Sequence, residues 1–372
     1  MKIMKKLTAL LLAAALSASA AGCAMNGDNA SSGGSAAPAD TATEKKLNIF
    51  TWATYFPDDI LQEFTEQTGI EVVYSTFESN EEMLMKLQAS NGGDYDVVLA
   101  SDYIIDIARK QDLIQKIDKE KVPNFQNINP AFQGKFYDEN NEYTIPYSAG
   151  VPVIVYNPDM VDFEVKGYAD LWNPALEDSL VIMDDARNVL GVTLKTMGES
   201  FNTTDTAKLQ QAKEKLMELK PNIRALDYNT PYNLIVSGEV AMGYMFTSQA
   251  ATALLENENL KVVFPEEGLG FGIDSCFVPA NAPHAENAWQ FLNFILDGQR
   301  SAHISEQTLY LNCNSAATQY MSQTSLPEHV VREVLTVSDE QIEEAEFIQD
   351  VGTEATDEFN KIWTEFKQSL TA

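Results

Sequence analysis

Between residues 45 and 110 two hydrophobic periods alternate in a fixed order, and this restricts the fold more than any other feature of the chain. Residues 47–52 (Leu-Asn-Ile-Phe-Thr-Trp) alternate as a strand does. Pro57-Asp58-Asp59 then opens an amphipathic helix to about Gln67, closed by Gly69. Residues 71–77 are β-branched and alternating, and Ser79-Asn80-Glu81-Glu82 reads as a capping box that opens a second helix. Residues 94–100 predict a third strand, followed by a helix over 103–110. A β-α-β-α-β order calls for a parallel sheet with helices on its faces.

The texture changes at residues 130–148, rich in Asn, Asp and aromatics, before an apolar strand at 151–156. A second α/β region follows, with strands expected at 179–183, 240–246, 261–264 and 275–278 and helices from Ala186 and over 206–219. From Ala285 onward the pattern is mostly helical, and no internal repeat is visible. The 372 residues suffice for one large two-lobed unit. The expected division is lobe 1 from residues 45–148 plus about 275–310, and lobe 2 from 149–274 plus part of about 311–372. Ligands of such α/β sheets sit beyond the carboxyl ends of the strands.

The N-terminus carries a different message. Lys2, Lys5 and Lys6 precede an apolar run over residues 7–21, too short for a span of about 20 residues. The run ends in Ala20-Ala21-Gly22-Cys23, which looks like a bacterial lipobox: residues 1–22 would be removed and the Cys23 thiol acylated. Residues 23–44, small and polar, then read as a flexible tether on the outer face of a membrane. Elsewhere no stretch is apolar enough to span a bilayer.

The formal charge of −30 disfavours nucleic acid and anionic headgroups as partners. It suits a cationic ligand, although solubility alone also explains acidity. Cys276 and Cys313 could pair in an exported protein or remain two buried thiols. The chain has no CxxC or His-rich spacing that would indicate zinc, and its three histidines (His284, His303, His329) all fall in the last third.

Phe50-Thr51-Trp52-Ala53-Thr54-Tyr55, continuing as FTEQTGIEVVYSTFESNEEM, resembles the bacterial spermidine/putrescine-binding proteins of polyamine ABC importers. So do YDVVLASDYIID, YTIPYSAGVPVIVYN, YADLWNPALEDSLVIMDDAR, GEVAMGYMF, FPEEGLGFGIDS and FVPANAPHAENAWQFLNFIL, in the same order from Lys45 to the C-terminus. The resemblance implies a type II periplasmic-binding-protein fold, two α/β lobes that close on a ligand and deliver it to a permease with its ATPase. It also implies a monomer without cofactor or metal.

A polyamine is a methylene chain with ammonium ends, so its site needs carboxylates for the ends and aromatic faces beside the chain. Asp274, in FGIDS, matches the family's amine-binding aspartate, and its apolar surroundings are unusual for a solvated charge; the alternative is a turn-capping Asp. Asp185, in MDDAR, matches a second family carboxylate, but one of Asp184 and Asp185 is needed to cap the next helix or pair with Arg187. Trp52 and Tyr55 match ligand-contacting aromatics, with core packing the alternative for a strand Trp. Ser101 and Tyr103 match cleft residues, against an ordinary cap at Ser101 or Asp102 and an amphipathic Tyr. Phe246 stands where the family commonly has Trp, and Tyr310 where it has Tyr. Three positions depart from the family: Asn188 for a glutamate, Gly272 for a stacking Trp and Ile348 for a polar contact. They imply a looser pocket, suited to a shorter or altered cation.

Other readings use the same fold for a sugar, another organic cation or ferric ion. An enzyme is a further class: Asp185 and Asp274 could form a glycosidase pair, yet no G-x-S-x-G, HExxH or P-loop occurs. Gly268-Leu269-Gly270-Phe271-Gly272 lacks nucleotide-loop spacing and reads as a turn.

Overall fold

The computed structural model describes residues 44–371. The leader, Cys23 and the tether up to residue 43 lie outside the described residues. Within them the chain builds two sheets. It starts the first with β1 (Lys46–Thr51), β2 (Glu71–Thr76), β3 (Val97–Ser101) and β4 (Ile145–Gly150). It then crosses to the second for β5 (Pro152–Tyr156), β6 (Leu180–Ile182), β7 (Ile223–Leu226), β8 (Met242–Phe246) and β9 (Lys261–Val263). β10 (Gly270–Phe277), β11 (Leu311–Asn312) and β12 (Glu346–Phe347) return to the first.

The first sheet has the order β11-β4-β10-β3-β1-β2, with β12 beside β10, and the second β7-β6-β8-β5-β9. β1 lies between β2 and β3, parallel to both, as the opening β-α-β-α-β pattern requires. β10 runs antiparallel to β3 and β4, so the sheet is mixed. Only the buried Val151 separates β4 from β5, which makes this a tight crossing between the sheets.

Four strands carry no clear sequence signal, two of them, β11 and β12, only two residues long in a stretch that reads as helical. β4 holds Pro146, Ser148 and Gly150, and β7 is a four-residue strand with an exposed Arg224. β10 begins at Gly270 instead of Ser275, so residues 270–274, expected in the second lobe, belong to the first sheet. The glycine run is therefore a turn only at Gly268 (φ 102°). A Cβ on Gly270 would sit 3.0 Å from the Phe201 ring, so this glycine marks a close approach within a strand.

Apolar side chains fill both faces of the sheets. Leu47, Ile49, Phe64 and Leu99 pack with Trp289 and Phe291 on one face of the first sheet. Phe50, Phe132, Phe271 and Ile273 pack on the other. Beside the second sheet, Tyr168, Phe201 and Tyr244 meet Phe359 and Phe366 of the long helix Gly352–Leu370. Cys276 lies in the first of these cores and Cys313 in the second, and both are free and buried.

Local signals mostly act as expected. Gly69 ends its helix in the left-handed conformation, its N–H bonding Thr65 O at 2.8 Å. Ser79 accepts from Glu82 N at 3.1 Å, but the Glu82 carboxylate takes Glu78 N at 3.0 Å, so the box is only half closed. Asp96 is fully buried and ties β1 to the start of a C-terminal helix, accepting Asn48 N at 2.6 Å and His284 N at 2.6 Å. Asp96→Ala should cost about 2–4 kcal/mol, because two backbone donors lose their acceptor; the midpoint of urea unfolding reads the loss.

Candidate functional site

A cavity of about 960 Å³ opens beyond the carboxyl ends of β1, β3, β6 and β8, with residues of both sheets on its walls. All eight residues expected at a ligand site line it: Trp52, Tyr55, Ser101, Tyr103, Asp185, Phe246, Asp274 and Tyr310. The three departures, Asn188, Gly272 and Ile348, line it too.

Asp274 is the best-supported carboxylate. It is partly buried on β10, opposite Ser101 of β3 in the antiparallel register. Ser101 Oγ donates to Asp274 Oδ1 at 2.8 Å, and Tyr55 Oη donates to Oδ2 at 2.6 Å. Ser101 occupies the cap position of its helix, yet its hydroxyl serves Asp274 instead of the helix end. Burial pushes the Asp274 carboxyl above its usual range, opposed by these two hydroxyls. Neither bond brings a positive charge.

The aromatic walls are set by two strained segments. Thr54 (φ 63°) precedes Tyr55 and Leu309 (φ 57°) precedes Tyr310, both in the left-handed region. Tyr74 Oη donates to Trp52 O at 2.9 Å and Tyr147 Oη donates to Tyr55 O at 2.6 Å, pinning the first segment. The Tyr55 and Tyr310 rings then lie 5.0 Å apart. Trp52 does both jobs weighed for it, packing edge-on to Phe77 at 4.4 Å while lining the cavity. The Tyr103 hydroxyl donates to Glu81 Oε1 at 3.0 Å and accepts from Asn80 Nδ2 at 3.0 Å.

Across the cavity Asp185 caps the helix Ala186–Thr196, its Oδ1 accepting Asn188 N at 2.7 Å. Asp184 instead accepts from Trp363 Nε1 at 2.8 Å and pairs with Lys367 at 2.9 Å. Arg187 forms no ion pair with either: it bonds Asn202 Oδ1 at 3.0 Å and Gln349 O at 2.9 Å, and lies over the Phe359 ring. Capping thus occupies one oxygen of Asp185. Phe246 stands at the end of β8, 6.3 Å and edge-on from Tyr228.

Several lining residues escaped sequence reasoning, Tyr228, Glu81 and Asp102 among them. Tyr228 projects from the turn after β7 and stays about half exposed, at 47%; partial desolvation and the nearby Asp185 raise its phenol above the ordinary value. Glu81 is read in the sequence only as part of a helix start. Asp102, taken for a cap, is almost wholly buried; its Oδ1 accepts Tyr103 N at 2.7 Å and its Oδ2 Ile273 N at 3.1 Å. An aromatic in a polar turn and an acid immediately after a strand were the available signals.

His284 and His303 lie outside the cavity, on Asp96 (3.0 Å) and Asp59 (2.6 Å). Among the described residues no helix is long and apolar enough to cross a membrane.

Two sheets joined by a tight crossing, with a deep cleft across their strand ends, are the frame of an extracytoplasmic binding protein. The chain belongs to the bacterial extracellular solute-binding protein family, whose profile matches residues 59–329. It is 39% identical to the spermidine/putrescine-binding periplasmic protein of Escherichia coli over 341 residues, 91% of this chain and 95% of that one. It is 30% identical to the putrescine-binding periplasmic protein PotF of the same species over 76% of this chain and 81% of that one. The spermidine/putrescine ABC transporter substrate-binding protein PotD of Streptococcus pneumoniae superposes with a TM-score of 0.77 at 31% identity, covering 87% of this chain and 99% of that one. The fold is accordingly the type II periplasmic-binding-protein fold.

Tyr55→Phe removes a donor from a carboxylate that is costly to ionise. It should lower stability by about 1.5–3 kcal/mol at alkaline pH. The loss should shrink as pH falls through the raised Asp274 value, since the neutral acid needs the bond less; denaturant unfolding at two pH values measures both.

Proposed function

We propose that the protein captures a polyamine, a putrescine- or spermidine-like cation, in this cavity and delivers it to the permease of an ABC importer. Binding without turnover is the proposed role. The observation that carries the reading is Asp274, a partly buried carboxylate with two hydroxyl donors and no cationic partner, in a cavity lined by Trp52, Tyr55, Phe246 and Tyr310. An ammonium supplies the missing charge and N–H donors, each charged hydrogen bond contributing about 1.5–3 kcal/mol and each ring contact about 0.5–2. Asp185, with one oxygen left by its cap, is the candidate partner for a second ammonium. Ser101 and Tyr103 complete the proposed contacts. The polyamine names borne by the similar proteins support the same class of guest.

The three departures favour a shorter or altered cation over spermidine. The Asn188 amide oxygen is buried without a partner, a Cβ on Gly272 would meet nothing within 4 Å, and Ile348 offers no hydrogen bond. Closure about the segments that cross between the sheets, near Val151 and before β10, would trap the guest. Each sheet with its helices forms one proposed lobe. The lipobox supports attachment of a monomer to the outer face of a membrane through Cys23.

Asp274→Ala should cost about 2–5 kcal/mol of amine affinity; calorimetry that finds parental affinity for the same amine would sink the site. Cys23→Ser should move the protein from the detergent to the aqueous phase on partitioning, and no shift would remove the proposed anchor.

A further inference from the structure

Asp102 has no part in the reading above, yet the register of the first sheet sets it beside Asp274. Asp274 pairs with Ser101, so Asp102, the first residue of the helix that follows β3, lies one position beyond the strand partner of Asp274. Asp102 accepts its longer bond from Ile273 N, the residue immediately before Asp274. It is only 2% exposed and lines the same cavity. The groups bonded to the doublet or its neighbours are acidic or neutral, and the one cation among the described residues that line the cavity, Arg187, is engaged by Asn202 and Gln349 across from it. Ser101 and Tyr55 donate to Asp274. Tyr137, from the loop before β4, shares a hydrogen bond of 3.2 Å with Ser275 Oγ. Glu81, from the helix Asn80–Ser90, reaches this side through the Tyr103 phenol. Among the described residues no lysine, arginine or histidine forms an ion pair with either carboxylate, which leaves two acids in poor solvent with no counter-charge.

We propose that Asp102 and Asp274 form one acidic doublet that keeps a proton while the cavity is empty and releases it when an ammonium of the guest binds. The inference rests on the amine reading of the cavity. Two adjacent carboxylates in a water-poor site do not both ionise readily, so they titrate as a pair. Burial, helped by the charge of Asp274, pushes Asp102 up to about 7, against the N–H groups of Ile273 and Tyr103. The exchange balances: the O–H bond of the acid breaks, the proton passes to bulk water, and the incoming ammonium donates its N–H bonds to the two carboxylates. One positive charge replaces another, and capture becomes linked to pH. Affinity should fall by up to about tenfold per pH unit below the titration of the doublet.

The test is calorimetry of the full chain with putrescine, and separately spermidine, at about pH 6.5 in buffers of different ionisation enthalpy. Such heats count the protons exchanged on binding. The wild type should release a substantial fraction of one proton at about pH 6.5 and almost none at about pH 8.5, where the doublet has already ionised. Asp102→Asn should still bind, several-fold more weakly at the higher pH, with heats that no longer depend on the buffer. Wild-type binding at about pH 6.5 with buffer-independent heats would overturn the doublet while leaving the amine reading intact, and this arm needs no variant to fold. Undiminished proton release in Asp102→Asn would also overturn it. No binding of either amine would overturn the amine reading and the doublet with it.

Discussion

Negative charge held on Asp274 and Asp102 in a water-poor hollow, with no ion pair among the described residues to answer it, is the constraint around which this molecule is arranged. A carboxylate in that setting is expensive unless it is protonated, hydrogen-bonded or paired. Here hydroxyls and backbone N–H groups meet part of the cost, and the pairing is left open. Tyr55 and Ser101 hold the Asp274 carboxylate in a fixed orientation without neutralising it. A guest that brings its own charge completes an arrangement the fold has left one ion short.

Placing such a site demands distant parts of the chain. Tyr55 and Asp274 are 219 positions apart, and Ser101 and Asp274 are 173. The antiparallel insertion of β10 between β3 and β4 brings them together. Thr54, which delivers Tyr55, is held by the phenols of Tyr74 and Tyr147 on the flanking carbonyls, and Leu309, which delivers Tyr310, by closing its helix with its N–H on Ser305 O. Asp185 follows a strand of the other sheet, so its separation from Asp274 changes whenever the sheets move relative to one another.

Much of this was legible in the sequence where local physics decides. The opening β-α-β-α-β pattern, the caps at Gly69 and Asp185 and the helical C-terminal region follow from periodicity and turn chemistry. β10 was misjudged at its start, because glycines that normally punctuate a turn here admit the Phe201 ring. β4 and β7 carry too little apolar alternation to announce themselves. Family resemblance supplied eight of the residues that line the cavity, but their partners depend on register. No local pattern reveals that Ser101 spends its hydroxyl on Asp274, or that Asp102 bonds both its own helix start and the backbone of β10. Tyr228 escaped for a related reason: an aromatic in a polar turn has no period, and its place is fixed only by how the second sheet stands to the cavity.

Cys276 and Cys313 sit in separate cores, shut off from solvent and from each other by the sheet they flank. For a chain built to work beyond the reducing interior of a cell, this makes the finished fold indifferent to the redox state around it. Among the described residues no covalent staple has to be formed, and neither of these two thiols is open to a wrong partner. Its durability in an oxidising milieu is a matter of packing alone.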